Sequence, residues 1–108
     1  MKLTPDTLIA QRKIIDYLLV RRPEDDKSAF LAKAGYVPET ADQLSADLRE
    51  QLLPLEARLL EMDEYGVKSM IRGRLKGPNG RTLRVVSIWM IEHFVGKAKF
   101  VTLYPDKK

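Results

Sequence analysis

Residues 67–91 alternate two kinds of side chain on either side of the short segment "GPNG", and this pattern restricts the fold more than any other in the chain. In "VKSMIRGRL", apolar or small residues alternate with longer, mostly basic ones. A period of two is typical of a β-strand whose two faces meet different surroundings. The segment "GPNG" carries the residues that tight turns prefer. The sequence therefore predicts an antiparallel β-hairpin.

The turn decides which side chains of this hairpin share a face. Pro78, Asn79 and Gly80 suit a type I turn with Gly80 in the left-handed conformation, which forms a three-residue bulged loop. That loop pairs Arg74 with Arg84. In this register the other face of the hairpin is almost wholly apolar or small and so suits the core. Its residues are Val67, Ser69, Ile71, Leu75, Leu83, Val85, Ser87, Trp89 and Ile91.

A two-residue loop is the alternative turn. It would slip the register by one residue and place Trp89 beside Lys68 on the basic face. Turn chemistry favours the bulged loop, so we expect Trp89 to lie in the core.

The first half of the chain predicts helices. Helical periodicity occurs in "RKIIDYLL", "SAFLAKA" and "TADQLSADLREQLL". Thr4 and Pro5 suit the N-cap and first position of the first helix, although "TLIA" is equally compatible with a short strand. Thr40 and Gln43 have the spacing of a capping box for the third helix, and Gly35 suits the end of the second.

The second half predicts two more strands, "EARLLEM" before the hairpin and "KFVTLYP" after it. Helices followed by a run of strands indicate an α+β fold. We expect about three N-terminal helices, in residues 1–54, packed on one face of a four-stranded antiparallel meander in residues 55–105. Residues 106–108 read as a loose tail of this single 108-residue domain.

The positive charge is concentrated in the second half. Residues 1–54 carry eight Lys or Arg and nine Asp or Glu, whereas residues 55–108 carry eleven and six. Residues 65–84 contain six basic side chains and no acidic one. The six basic residues, which we take as candidate nucleic-acid-binding residues, are Lys68, Arg72, Arg74, Lys76, Arg81 and Arg84.

Several classes of function lack their motifs. There is no cysteine and only one histidine, His93, so no zinc-binding cluster is expected. "GRLKGPNGRT" is neither a P-loop nor a dinucleotide fingerprint, and the acidic run of residues 24–26 lacks the spacing of a calcium loop. We therefore expect no metal and no cofactor. The N-terminus does not resemble a signal peptide and no segment is long enough to span a membrane, so the expected location is cytoplasmic.

Three interpretations of the basic hairpin face stay open. It can be a solvated strand face, a surface that binds RNA or another phosphate-bearing partner, or a contact with a protein. Arg74 opposite Arg84 is unfavourable unless solvent or an anion screens the pair. Met70, Ile88 and Met90 lie on the same predicted face, and if exposed they would indicate a protein partner instead.

Several segments, in order and spacing, resemble a small family of bacterial domains of unknown function. They are "KIIDYLL", "DKSAFLAKAGY", "YGVKSMIRGRLKGPNGRTLRVVSIWMI" and "KFVTLYP". The chain departs from the family pattern at Val86, where a polar or basic residue is expected, and at Asn79, which stands for Asp. The matching positions are Lys27, Tyr65, Lys68, Gly73, Gly80, Arg81, Trp89, Thr102, Tyr104 and Pro105.

The layout is also similar to that of barnase, RelE and the colicin D nuclease domain. This resemblance implies a toxin-like, metal-independent ribonuclease, in which a base, an acid and cations act on the phosphate. It implies Lys68, Arg84, Thr102 and Tyr104 as the catalytic residues. The alternative is a non-catalytic interaction domain, such as an antitoxin, an immunity-type partner or a homodimer module. Oligomeric state is left open.

Overall fold

Three helical segments precede a four-stranded antiparallel sheet in the computed structural model, which describes residues 2–21 and 27–107. A 3-10 turn, Pro38–Thr40, leads into the third helix. The acidic run of residues 24–26 lies outside the described residues. The helices are α1, an α-helical turn Gln11–Lys13 continued by a π-helical segment Ile14–Leu18; α2, Lys27–Ala32; and α3, Ala41–Asp47 continued by a π-helical segment Leu48–Leu52.

The sheet is a simple meander in which each strand pairs with the next one along the chain. This confirms the predicted α+β fold. The strands are β1, Arg58–Met62; β2, Gly66–Lys76; β3, Thr82–Glu92; and β4, Ala98–Pro105.

The hairpin of β2 and β3 has the predicted register. Arg74 lies opposite Arg84, and Lys68 lies opposite Met90. Gly80 has φ +88°, and its N–H donates to the Gly77 carbonyl at 3.0 Å, as a bulged turn requires. Trp89 is completely buried, and its indole N–H donates to Ser87 Oγ at 2.8 Å. The two-residue loop is thereby excluded.

The helices cover the face of the sheet that carries Trp89. Leu44, Leu48 and Leu52, at the predicted spacing of four, are fully buried in one cluster with Trp89 and Phe100. The rings of Trp89 and Phe100 meet edge to face, with centroids 5.2 Å apart. Burying such side chains is the main stabilising contribution in a domain of this size.

Among the described residues, the apolar side chains at the centre of the opposite sheet face are buried or half-buried. Val86 and Ile88 are 2% and 7% exposed, and Met70 and Met90 are half-buried. In the register, Val86 lies between Arg72 on β2 and Tyr104 on β4. Long side chains of this kind cover apolar neighbours while their polar ends stay in water.

Other segments of the protein cover part of β4 and part of β2 along the edges of the sheet. The Leu8 N–H donates to the Ala98 carbonyl, and the Phe100 N–H donates to the Leu8 carbonyl, so the N-terminal segment lies along β4. β1 pairs with residues 67–70 of β2, and the Gln51 amide bonds both backbone groups of Lys76 near the other end of that strand. β1 itself forms the remaining edge.

The start predicted for the first helix was wrong, whereas the start predicted for the third helix at Thr40 was right and only its capping box is absent. Thr4 and Pro5 lie in a turn closed by the Thr7 N–H and the Thr4 carbonyl, because the next residues are recruited to β4. At α3, the Thr40 hydroxyl accepts a hydrogen bond from the Val37 N–H instead of capping the helix. The Gln43 amide is drawn to Asp47, which lies one turn further along α3. Gly35, with φ +92°, does end the helical region after α2.

The predicted loose tail needs a correction at Asp106. Its N–H donates to the Arg84 carbonyl at 2.9 Å, and its side chain is only 6% exposed. Asp106 is therefore held in place directly after the end of β4, beside the basic hairpin. None of the helices in residues 2–21 and 27–107 combines the length and the apolar character needed to cross a membrane.

Candidate nucleic-acid interface

The antiparallel register arranges the basic side chains in rows across one face of the sheet. Arg74 on β2 lies opposite Arg84 on β3, and Lys76 lies opposite Thr82. Successive rows on one face are about 7 Å apart, because a strand rises about 3.4 Å per residue. The turn end of the hairpin therefore presents three cations within two adjacent rows.

These side chains line a cleft of about 490 Å³. Its lining residues are Gln51, Arg74, Lys76, Thr82 and Arg84. A smaller depression of about 200 Å³ adjoins it and shares both Arg74 and Arg84. The smaller depression also reaches Arg72 and Asp106. Arg74 and Arg84 thus form the wall between two neighbouring concave sites.

Two of the six candidate cations are neutralised by carboxylates. Lys68 Nζ lies 3.2 Å from Glu61 Oε1, and Arg72 Nε lies 3.4 Å from Asp106 Oδ2. The other four are Arg74, Lys76, Arg81 and Arg84. In the part of the chain that the structure describes, no carboxylate forms an ion pair with any of these four. The unpaired positive charge is therefore concentrated at the turn end.

A hydrogen-bond network that is buried at Tyr36 and Asp47 and exposed at Gln51 holds the backbone of Lys76 in place. The Gln51 amide donates to the Lys76 carbonyl at 3.0 Å and accepts from its N–H at 2.7 Å. The Tyr36 hydroxyl donates to Asp47 Oδ2 at 2.6 Å and lies 3.1 Å from the same carbonyl. Burial, reinforced by the hydrogen bond to Asp47, raises the pKa of Tyr36, which keeps this hydroxyl protonated.

The turn that carries Arg81 is docked on the end of α2. The Asn79 side chain donates to the Lys33 carbonyl at 3.1 Å, and its N–H donates to the Ala34 carbonyl at 3.3 Å. Asn79 Oδ1 also accepts from the Arg81 N–H at 2.9 Å. Arg81 is exposed and precedes the cleft residue Thr82 in the sequence. Its own side chain does not line the cleft.

The register separates the four residues predicted to be catalytic. Lys68 and Arg74 are six residues apart on β2, so Lys68 lies about 20 Å from Arg84, which is opposite Arg74. Tyr104 lies opposite Val86, one row from Arg84, and is 39% exposed. Arg84 and Tyr104 are therefore neighbours, whereas Lys68 lies at the far end of the hairpin.

The hydroxyl of Thr102 is engaged by the helical half. Lys27 Nζ donates to Thr102 Oγ1 at 2.7 Å and to the Tyr17 hydroxyl at 2.9 Å. The same ammonium lies 5.0 Å from the centre of the Tyr17 ring. Lys27, the first residue of α2, is only 9% exposed, so it forms a buried link between α2 and β4. Thr102 takes part in that link.

Sequence reasoning missed three residues that shape the site. Thr82 could have been found from the register, since it lies opposite Lys76. Gln51 and Asp106 gave no such signal, because each reaches the hairpin from a distant part of the chain. His93 is exposed, and its Nε2 lies 2.9 Å from the Asp63 carbonyl at the opposite end of the hairpin.

Comparison with known proteins gives one match. The model of a family described as "Domain of unknown function (DUF6883)" matches residues 4–107. No curated protein and no solved structure matches the chain.

Proposed function

The chain belongs to the DUF6883 family of domains of unknown function. For this member of the family, we propose that the basic cleft binds the phosphate backbone of RNA. The observation that carries the proposal is the juxtaposition of Arg74 and Arg84 directly across the hairpin. Like charges in that position repel each other and reduce stability. A bound phosphate would offset the repulsion, since no described carboxylate does so.

The chemistry of the cleft suits phosphate oxygens. A guanidinium group presents paired N–H donors that match the geometry of a phosphate, often with two parallel hydrogen bonds. Arg74 and Arg84 supply two such groups, and Lys76 adds a compact positive charge. Thr82 also lines the cleft, and its hydroxyl is a further donor.

The extent of the positive surface favours a polymer over a single small anion. The cleft and the adjoining depression lie side by side, and both use Arg74 and Arg84. Arg81 adds charge at the turn, and Tyr104 places an exposed aromatic ring one row from Arg84. A positive groove with an aromatic side chain beside it is the usual arrangement for binding single-stranded nucleic acid.

A second candidate function is RNA cleavage without a metal, which the position of Tyr104 favours. Its exposed hydroxyl shares the face of Arg84 and Arg72. In this proposal the 2′-oxygen attacks the phosphorus and its proton passes to water, while the bond to the 5′-oxygen breaks. Tyr104 donates a proton to that departing oxygen, and Arg84 stabilises the charge on the phosphate. Lys68 is too far from Arg84 to act on the same phosphate.

The test is the affinity for a labelled single-stranded RNA at 50 and 200 mM salt. With about three phosphates neutralised, the slope of log affinity against log salt is about −2, so the wild type loses roughly 20-fold between the two conditions. Arg74→Gln with Arg84→Gln should flatten that slope by about 1.4. A double variant with unchanged affinity and slope would refute the cleft.

The control is Arg12→Gln with Lys97→Gln, which removes the same charge from an α1 residue and from the loop between β3 and β4. It should retain the wild-type slope and melting temperature. The cleft variant should melt at or slightly above the wild-type temperature, because the repulsion between Arg74 and Arg84 is removed. Intact RNA after incubation with wild type would refute the cleavage candidate and leave the binding proposal standing. If cleavage occurs, Tyr104→Phe should abolish it without weakening binding.

A further inference from the structure

Strand β1 forms an open sheet edge in the part of the chain that the structure describes. There it pairs with β2 alone, and all five of its residues are exposed. Among residues 2–21 and 27–107, no backbone hydrogen bond from another segment reaches its outer side. The outer side of β4 is covered by Leu8, and Gln51 covers β2 at Lys76. Open edges readily pair with another strand, and proteins usually cover or charge them.

The same strand exposes large apolar side chains. Leu59, Leu60 and Met62 are 61%, 50% and 65% exposed. Leu59 and Met62 lie opposite Ser69 and Val67, on the face of the sheet that the helices cover elsewhere. An open backbone edge combined with apolar side chains is a surface that water solvates poorly, and it indicates a contact with a protein.

The apolar surface continues at the adjoining end of the hairpin. Tyr65, Phe94 and Val95 are 68%, 98% and 64% exposed. The His93 N–H donates to the Tyr65 carbonyl at 3.0 Å, which brings the two loops together. These loops flank the C-terminal end of β1.

The charges of β1 match those of a second copy of the strand. Arg58 and Glu61 are its only charged residues, and both lie on the basic face, opposite Met70 and Lys68. When two β1 strands run antiparallel about a two-fold axis between Leu59 and Leu60, Arg58 of each faces Glu61 of the other. The irregularity between Leu59 and Glu61, which leaves Leu60 without a partner on β2, is what brings both charged residues to one face, and Leu59 and Leu60 of the two copies lie between the ion pairs. Such an interface is self-complementary, as a symmetric dimer requires.

We propose that β1 pairs with β1 of a second copy and joins the two sheets into one eight-stranded sheet. The two-fold axis stands perpendicular to the joined sheet, so both basic faces lie on the same side. This inference is independent of RNA binding. If both proposals hold, the dimer presents two clefts to one RNA, which raises the apparent affinity.

The test is sedimentation equilibrium of wild type, Arg58→Glu and Glu61→Arg, from about 1 µM to about 1 mM, the range in which small interfaces associate. Wild type should dimerise with rising concentration. In a dimer of either variant, like charges meet at both of the positions where Arg58 faces Glu61 in wild type. The affinity of the dimer should therefore fall roughly tenfold or more. An equimolar mixture of the two variants restores opposite charges and should dimerise as wild type does.

The control exchanges charges on the exposed helical surface, with Arg12→Glu, Glu39→Arg and their mixture. All three samples should dimerise like wild type. A wild type that stays monomeric up to about 1 mM would overturn the proposal. So would variants at Arg58 and Glu61 that dimerise normally, or a mixture that associates no better than its components. Circular dichroism of each variant excludes unfolding as the cause.

Discussion

The two ends of the β2–β3 hairpin differ in what they leave without a partner. At the turn end, Asn79 and Gln51 bind the hairpin backbone to the helical half. In residues 2–21 and 27–107, no carboxylate forms an ion pair with Arg74 or Arg84. At the other end, Lys68 is paired with Glu61, while the edge of β1 and its apolar side chains stay exposed. Excess charge suits a polyanion, whereas an open edge and apolar surface suit another strand.

The largest effect is expected from Gly77→Ala, which breaks the attachment of the turn end. A Cβ at this position would lie 2.0 Å from the Ala34 carbonyl oxygen, so the turn must move away from α2. We expect a loss of about 3 kcal/mol in the free energy of unfolding. Denaturant unfolding of the variant measures it.

The matched control is Gly80→Ala in the same turn. A Cβ there meets no atom within 4 Å, and the cost comes only from φ +88°, about 1–2 kcal/mol. Equal stability of the two variants would show that the contact with Ala34 does not hold the turn.

A smaller effect is expected from Gln51→Ala, which uncovers β2 at Lys76. The Lys76 N–H and carbonyl lose their bonds to Gln51 and turn to water, a loss of about 1 kcal/mol. Hydrogen exchange at the Lys76 amide should accelerate. An unchanged rate would mean that Gln51 does not protect this edge.

Gln51→Glu sharpens the same test. It keeps an acceptor for the Lys76 N–H but adds negative charge to the lining of the cleft. RNA binding should therefore fall further than with Gln51→Ala, although the edge is better protected.

The smallest effect concerns Asp63, in the turn between β1 and β2 at the apolar end. Hydrogen bonds from the Tyr65 and Gly66 N–H groups lower the pKa of Asp63 from its ordinary 3.8. Because the folded pKa is the lower one, the ionised carboxylate stabilises the turn above pH 3.8. That contribution is lost as the pH falls through the folded value.

An NMR titration of the Tyr65 and Gly66 amides measures this pKa directly. Asp63→Asn keeps an oxygen acceptor without the charge, so its amide shifts should not titrate in this range. A pKa at or above 3.8 in wild type would contradict the role of these two hydrogen bonds.

The hairpin could be predicted from the sequence because its information is local. Gly80 and its neighbours select the turn, and the turn sets the register that pairs Arg74 with Arg84. The predicted start of the first helix was wrong for the opposite reason. Thr4 carries a good capping signal, but Leu8 is drawn to the edge of β4, and the cap has no helix to begin.

The candidate site, like the fold, could be predicted from the sequence only in part. The sequence placed Lys68, Arg72, Arg74 and Arg84 on one face of the hairpin, since the alternation of the strands is visible in it, and the register confirms this placement. It could not separate the paired cations from the unpaired ones. That distinction depends on Glu61 and Asp106, whose carboxylates reach Lys68 and Arg72 only after the strands have assembled.

By itself, the sequence determined the order of helices and strands, the register of the hairpin and the face on which its cations lie. These follow from side-chain period and turn chemistry, which act between near neighbours in the chain. Only the tertiary structure decided which cations stay unpaired, that Lys27 is buried against Thr102, and that β1 has an open edge. Each of these depends on groups far apart in sequence, and their meeting is set by how the helices pack on the sheet.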